Sequence, residues 1–137
     1  MRLWHQDLIH KLPRQQLLGQ HRECCALRGN GWRRPHSTIN YIFEYPFEYL
    51  VMYHFIVMHA MEARGYTVSE VWKNPDYSGK NRPARNTNIA MFEDYLRKSL
   101  QHTKPLTIYA EHNAEYLTEC IENLKSKGVE LDAETST

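Results

Sequence analysis

The sequence lacks the features of secreted and membrane proteins. It contains only three cysteines, an odd number, and two of them, Cys24 and Cys25, are adjacent. No disulfide framework is therefore predicted, and we expect reduced thiols in a cytoplasmic protein. The first residues carry no apolar core of the length that a secretion signal needs. The most apolar stretch, residues 49–61, contains His54 and His59, so it is too short and too polar to span a bilayer.

Acidic residues are scarce in the first part of the chain. Residues 1–40 contain seven Lys and Arg residues but only two acidic ones, Asp7 and Glu23, which gives a net charge of +5. Residues 111–137 contain seven acidic and two basic residues, a net charge of −5, although the whole chain carries only +1. This contrast predicts one face that binds an anion and a C-terminal part that is solvated or folds against it. A hydrophobic content of 42% and a charged content of 24% are typical of a globular protein.

The alternation of apolar and polar residues that is typical of β-strands is also scarce, and no internal repeat is visible. The pattern therefore predicts an all-α fold. Pro13 and Gly29 bracket a first helix. A second helical region starts near residue 37, is interrupted or kinked at Pro46, and ends at Gly65; further helices are predicted at about 86–101 and 113–127, with an irregular loop over 66–85. We expect a compact single-domain helical bundle of about four helices with irregular loops. This domain covers residues 1–131, and a frayed acidic tail follows at 132–137.

Glu23 is the most informative residue, because it is a single carboxylate in a basic helical surface. It follows Arg22 directly, and glutamine and histidine side chains lie nearby in the sequence. An enzyme that acts on a phosphodiester backbone needs arginines to hold phosphates and a carboxylate to move protons. The same pattern also fits an ordinary ion pair on a solvated helix.

The segment from Leu17 to Glu23, followed by Arg28 and Gly29, resembles the pyrimidine-dimer DNA glycosylase family, which was founded by phage endonuclease V. The resemblance continues through residues 36–38, the apolar central helix and the Arg-Gly-Tyr sequence at 64–66, and covers about residues 1–100. It implies that Glu23 is the catalytic carboxylate and that Arg22 and Arg28 bind phosphates. It also matches an upstream glutamine of the family with Gln15.

The resemblance implies a compact helical domain and a reaction at the N-terminal α-amine. The amine attacks the sugar C1′ of the damaged nucleotide, displaces the base and forms an imine, and β-elimination then cuts the strand. Because Arg2 is too large for normal removal of the initiator methionine, we expect the reactive amine to be that of Met1. An α-amine titrates near pH 8, so much of it is nucleophilic at physiological pH. This chemistry predicts a DNA N-glycosylase with abasic-site lyase activity that needs no cofactor and no metal.

The expected substrate is damaged double-stranded DNA. We expect the protein neither to bind a membrane nor to need an obligate protein partner. The residues assigned to DNA binding are Arg2, Arg14, Gln15, Arg22, Arg28, Arg33 and Arg34. The loop over 66–85 also carries Lys80, Arg82 and Arg85, which either extend this face or are simply solvated. The founder of the family ends in an aromatic segment, whereas this chain ends in acidic residues. The sequence therefore does not predict which DNA lesion the protein recognises.

Two other functions remain open. The first is a non-catalytic helical module that binds nucleic acid or a partner. The second is a metal-dependent hydrolase that uses clustered histidines, with His5, His21, His36 and His54 as candidate ligands. His21 also stands three and four residues before Cys24 and Cys25, a spacing that can hold a metal from one helix face. No Cys-x-x-Cys or His-Glu-x-x-His motif is present, so ligands would have to come from several helices.

Overall fold

The computed structural model describes residues 1–104 and 106–131. Within them the chain forms four α-helices, α1 (Arg14–Arg28), α2 (Phe47–Ala63), α3 (Ile89–Ser99) and α4 (Ala114–Ser126). There are also three short 3-10 helices: Gln6–Lys11 precedes α1, Asn40–Glu44 lies between α1 and α2, and Glu70–Lys73 lies between α2 and α3. No strand occurs in this described part of the chain. The predicted all-α fold is therefore confirmed.

Helix α1 begins and ends at the predicted residues. Pro13 precedes its first turn, and the backbone N–H of Gly29 donates to the carbonyl of Ala26 at its end. The helix buries one face, made of Leu17, Gln20, Cys24, Leu27 and Arg28. This spacing of three and four residues places α1 flat against the core, while Arg22 and Ala26 face solvent on its outer side.

Helix α2 is the central helix. Pro46 precedes it, and Gly65 follows it with a φ of 81°, a left-handed conformation that glycine adopts without strain. Nine of its residues are buried: Leu50, Val51, Met52, Tyr53, His54, Val57, Met58, Ala60 and Met61. Because apolar side chains surround it, α2 packs against α1, α3 and two of the 3-10 helices.

The last two helices begin at asparagine caps. The Asn88 side chain accepts from the backbone N–H of Ala90, and Asn113 accepts from that of Tyr116. Helix α3 has no buried residue, whereas α4 buries Cys120 and Leu124. Helix α4 is thus part of the core, while α3 covers its edge.

Some predicted boundaries need correction. The expected helical region from residue 37 is a short 3-10 helix, Asn40–Glu44, which is separate from α2 because Tyr45 is extended before Pro46. The N-terminal 3-10 helix, Gln6–Lys11, and the one at Glu70–Lys73 were not predicted. The acidic tail at 132–137 lies outside the described residues, and the single-domain boundary stays a prediction. None of the helices in the described residues is both long and apolar enough to cross a membrane.

Candidate DNA-repair site

The N-terminal segment is held against α1 by the buried side chain of Gln20. Its oxygen accepts from the backbone N–H of Trp4 at 2.7 Å, and its amide donates to the carbonyl of Arg2 at 3.1 Å. The Tyr53 hydroxyl of α2 lies 2.6 Å from the Trp4 carbonyl oxygen and 2.9 Å from the Gln20 oxygen. Both polar ends of Gln20 are therefore satisfied, and the first residues of the chain are fixed above the middle of α1.

Glu23 lies one turn beyond Gln20 and is half-buried. The Gln20 amide donates a second hydrogen bond to its carboxylate, at 3.2 Å. Burial raises the pKa of the Glu23 carboxyl above its ordinary value, while the positive charge of the N-terminal amine and a hydrogen bond from the Arg2 backbone oppose this shift. The carboxylate and the N-terminal amine are thus close enough for their charges to interact.

Met1 is fixed by its backbone and is open to solvent. Met1 is 44% exposed, and the Thr38 hydroxyl donates a hydrogen bond to the carbonyl oxygen of Met1. Thr38 is also 3.1 Å from Nδ1 of His36, whose charge acts on Glu23 as well. The loop that follows α1 therefore lies beside the start of the chain, and the amine and Glu23 share one accessible region.

Arg2 points away from this region and pairs with α4. Its Nη1 donates to a carboxylate oxygen of Glu119 at 2.8 Å, and the guanidinium lies 5.7 Å from the ring centre of Tyr116. The Tyr116 hydroxyl also donates to the carbonyl of Leu3 at 2.6 Å. Helix α4 thus also holds the N-terminal segment, and its Glu119 neutralises Arg2.

The predicted phosphate-binding role of Arg28 does not fit its position. Arg28 is fully buried, and it donates to the carbonyls of Trp72, Asn74 and Tyr77 at 2.8–2.9 Å. Its guanidinium also lies 5.0 Å from the ring centre of Trp72. With a further contact to His54, these bonds occupy the four N–H groups of the two terminal nitrogens, and Nε is buried without a partner. Arg28 is therefore closed to a ligand and instead fixes the loop after α2.

The other residues predicted to bind DNA are exposed: Arg14, Gln15, Arg22, Arg33 and Arg34. Gln15 and Arg22 are seven residues apart, so they lie on the same face of α1. Arg34 is held by a hydrogen bond from its Nε to the carbonyl of Asn30 at 2.8 Å. Their chemistry suits a phosphate backbone, and their DNA contacts stay a prediction.

The candidate metal ligands lie in separate parts of the fold. His21 and His54 meet, with Nδ1 of His21 and Nε2 of His54 2.8 Å apart, and the thiol of Cys25 lies 3.8–3.9 Å from their ring nitrogens. His5 is buried elsewhere and stacks on His112, with ring centres 5.4 Å apart. His36 is exposed beside the N-terminus. The four histidines therefore cannot form one site, and His21, His54 and Cys25 are the group whose ligand atoms come together among the described residues.

The hydrogen bonds of this group disfavour metal binding. Arg28 can only donate, and its Nη1 lies 3.0 Å from Nδ1 of His54, so that nitrogen must accept. The proton of His54 is then on Nε2, which donates to Nδ1 of His21. Both ring nitrogens of His54 are occupied, and burial lowers its pKa to about 2, with the charge of Arg28 adding to the shift. Burial also raises the pKa of Cys25 to about 11, which keeps the thiol protonated. Two imidazoles and a thiol are a donor set that zinc accepts, but here they contact one another and Arg28.

A family model described as pyrimidine dimer DNA glycosylase matches residues 1–74, which is more than half of the chain. The chain belongs to the pyrimidine dimer DNA glycosylase family. The matched part includes the N-terminal segment, α1 with Glu23, and α2. Membership in this glycosylase family implies a function in DNA repair and DNA as the substrate. No curated protein and no solved structure matches the chain.

Sequence reasoning did not identify the residues that position the candidate site. Gln20, Tyr53 and Thr38 fix the N-terminal segment, and Glu119 holds Arg2. A signal exists for Gln20, since it stands three residues before Glu23 on the same face of α1. The others are distant in sequence from their partners, and no local pattern points to them.

Proposed function

We propose that this chain is a DNA glycosylase with abasic-site lyase activity, in which the α-amine of Met1 is the nucleophile and Glu23 is the catalytic carboxylate. The observation that supports this proposal is electrostatic. The positive N-terminal amine acts on a half-buried carboxylate, and Gln20 holds both the segment that carries the amine and the carboxylate itself.

The reaction begins when the neutral amine attacks C1′ of the damaged nucleotide. A bond from nitrogen to C1′ forms, the bond from C1′ to the base breaks, and the base leaves with a proton. The C1′–O4′ bond then opens, O4′ takes a proton, and an imine remains between Met1 and the sugar. Removal of a proton from C2′ breaks the C3′–O bond and cuts the strand. Hydrolysis of the imine with water frees the enzyme.

Glu23 suits the proton transfers in this sequence. Its pKa is raised by burial, which brings a carboxyl group closer to the working pH and makes it a better acid and base. In its ionised form it also stabilises the positive charge that develops at the sugar and on the imine nitrogen. Water is available because Met1 and the loop beside it are open to solvent.

The exposed residues Arg14, Gln15, Arg22, Arg33 and Arg34 contact the DNA backbone in this proposal. Extrusion of the damaged nucleotide costs a few kcal/mol, which bound phosphates help to offset. Arg2 contributes by holding the N-terminal segment, since its guanidinium is paired with Glu119.

Borohydride reduction in the presence of duplex DNA with an abasic site tests the imine. A protein whose first residue is Met1 should give a covalent adduct, and mass spectrometry should place the adduct on that residue. Glu23→Gln should lower strand cleavage about 10²- to 10⁴-fold. Glu115→Gln removes an exposed acid of α4 and is the matched control. Absence of an adduct, or normal turnover by Glu23→Gln, would contradict the proposal.

A comparison of two duplexes tests which type of DNA damage the protein acts on. A duplex with a pyrimidine dimer requires base removal before cleavage, whereas an abasic duplex requires the lyase step alone. Cleavage of both supports the glycosylase and the lyase activities together. Cleavage of the abasic duplex alone would restrict the proposal to the lyase step.

A further inference from the structure

Among the stretches of the chain that contain no acidic residue, two matter here. One runs from residue 24 to 43, between Glu23 and Glu44, and the other from residue 77 to 92, between Asp76 and Glu93. The first includes Arg33 and Arg34, and the second includes Lys80, Arg82 and Arg85. The second stretch lies wholly outside the part of the chain that the family model matches.

The fold brings these two stretches together. The guanidinium of Arg82 donates to the side-chain oxygen of Asn30, which joins the second stretch to the loop after α1. The pKa of Arg85 is lowered by burial and by the nearby positive charges of Arg82 and Arg33. Two guanidinium groups of the second stretch and one of the first therefore lie close enough for Arg82 and Arg33 to repel Arg85.

The surface is built on a fixed support. Arg85 donates from Nε to the Ser78 hydroxyl at 3.0 Å, and its guanidinium lies 3.9 Å from the ring centre of Phe47 at the start of α2. Gly79 and Asn81, with φ values of 121° and 64°, turn the chain sharply beside it. The turn carries Lys80 and Arg82 outward, and both side chains are exposed.

The positive charge of this surface is not neutralised within the described residues. Ion pairs there involve Arg2, Lys73, Arg97, Lys98 and Lys104, and none includes a cation of the two acid-free stretches. Exposed arginines that repel one another are stabilised by an external anion, and the guanidinium fork matches the oxygens of a phosphate.

One loop connects this surface to the proposed catalytic region. At one end of the loop Thr38 and His36 lie beside Met1. At the other end Asn30 and Arg34 are bonded to each other, and Asn30 also binds Arg82. A sugar-phosphate strand that places a nucleotide at Met1 can therefore follow the loop toward the arginines.

We propose that Lys80 and Arg82 extend the contact of Arg33 and Arg34 with the DNA backbone, so that the four residues together hold phosphates that flank the reacting nucleotide. Arg85 supports this contact as a positioning residue. The inference rests on the proposed function, because it takes the reacting nucleotide to be at Met1. It assigns substrate binding to a loop beyond the family-matched residues.

Binding to a duplex that carries a tetrahydrofuran abasic analogue tests the proposal, since this analogue is not cleaved. Lys80→Gln/Arg82→Gln should weaken binding about tenfold at moderate salt and reduce the slope of log affinity against log salt by about two. The control, Arg97→Gln/Lys98→Gln, removes the same charge from α3, where both cations pair with Asp94, and should leave the slope unaltered.

The outcomes separate this inference from the catalytic proposal. If the loop variant binds as tightly as the control while the parent protein is trapped on DNA, the surface is wrong and the catalytic proposal stands. If the slope falls as expected but no adduct forms, the surface stands and the catalytic proposal fails. Equal loss of affinity in both variants would show a net-charge effect and overturn the inference. Should the double variant unfold, Lys80→Gln alone should lower the slope by about one, and an unchanged slope would contradict the proposal.

Discussion

Two polar sites lie beside α1, one around Glu23 and one where His54 of α2 meets His21 and Arg28, and burial has opposite consequences in them. At Glu23 the carboxyl group is half-buried, its pKa is raised, and the charge of the N-terminal amine of the exposed residue Met1 acts on it. At His54 the imidazole is fully buried, its pKa is lowered to about 2, and both ring nitrogens are bonded. Burial favours the neutral form in each case, but it moves Glu23 toward the working pH and His54 far from it. A polar group with an exposed neighbour is available for chemistry, whereas a fully bonded one supports the fold.

The largest expected effect separates activity from stability at Glu23. Glu23→Gln should abolish nearly all strand cleavage while it changes the free energy of unfolding by less than about 1 kcal/mol. The reason is that burial already disfavours the charged carboxylate, so a neutral amide of the same shape is tolerated. Urea unfolding and cleavage assays on the same preparation measure both quantities. A large loss of stability would mean that Glu23 is mainly a structural residue.

The next effect concerns the stability that Arg28 gives to the site around His54. Arg28→Lys keeps the positive charge but cannot reach the three carbonyls and His54, so it should lower the free energy of unfolding by about 3 kcal/mol. Arg22→Lys, on the exposed face of α1, should change it by less than about 0.5 kcal/mol. Urea titration measures both. If Arg28→Lys instead kept full stability and lost DNA affinity, the phosphate role implied by the resemblance would be restored.

A smaller effect is expected at Gln20, which connects the N-terminal segment to Glu23. Gln20→Met has a similar volume but no polar atoms that pair with the Trp4 N–H or the Arg2 carbonyl, so it should cost about 2 kcal/mol of stability. It should also slow imine trapping at saturating DNA, because the amine is no longer fixed beside Glu23. Stability lost with trapping intact would restrict Gln20 to the core.

The last effect, at most about 1.4 kcal/mol per pH unit, is a pH dependence of stability. His54 has a pKa of about 2 in the folded protein and an ordinary value near 6.5 when unfolded, so the unfolded chain binds more protons between these values. Stability should therefore rise with pH through this range and fall below pH 6.5, by at most about 1.4 kcal/mol per pH unit for this residue. His54→Gln should reduce that slope in urea titrations at pH 4.5, 5.5 and 6.5, while His112, whose pKa burial lowers to about 3, keeps its own contribution. Glu23 acts in the opposite direction, because its raised pKa favours the folded state as the pH falls. A slope that His54→Gln leaves intact would show that His54 is not held neutral.

Sequence reasoning succeeds here where local signals decide. Pro13 and Gly29 mark the ends of α1, and Asn113 and Gly128 mark those of α4, because caps and left-handed turns depend on neighbouring residues. The resemblance likewise places Glu23 beside the N-terminus, which the charge interaction in the structure supports.

Distant contacts explain what the sequence could not reveal. Arg28 has the pattern of a phosphate ligand, yet its acceptors are carbonyls of residues 72–77 that only the folded loop brings to it. The partner of Arg2 is Glu119, more than a hundred positions along the chain. The histidines could be counted, but which of them meet depends on how α1 packs on α2.

The grip of α4 on the start of the chain has a practical consequence. Every residue of the proposed chemistry lies within the first forty positions, but Tyr116 and Glu119 keep those positions in place. A shortened protein that stops before Asn113 would retain its reactive groups and lose their alignment. Purification handles should accordingly be attached behind the last helix, where they leave the leading nitrogen bare.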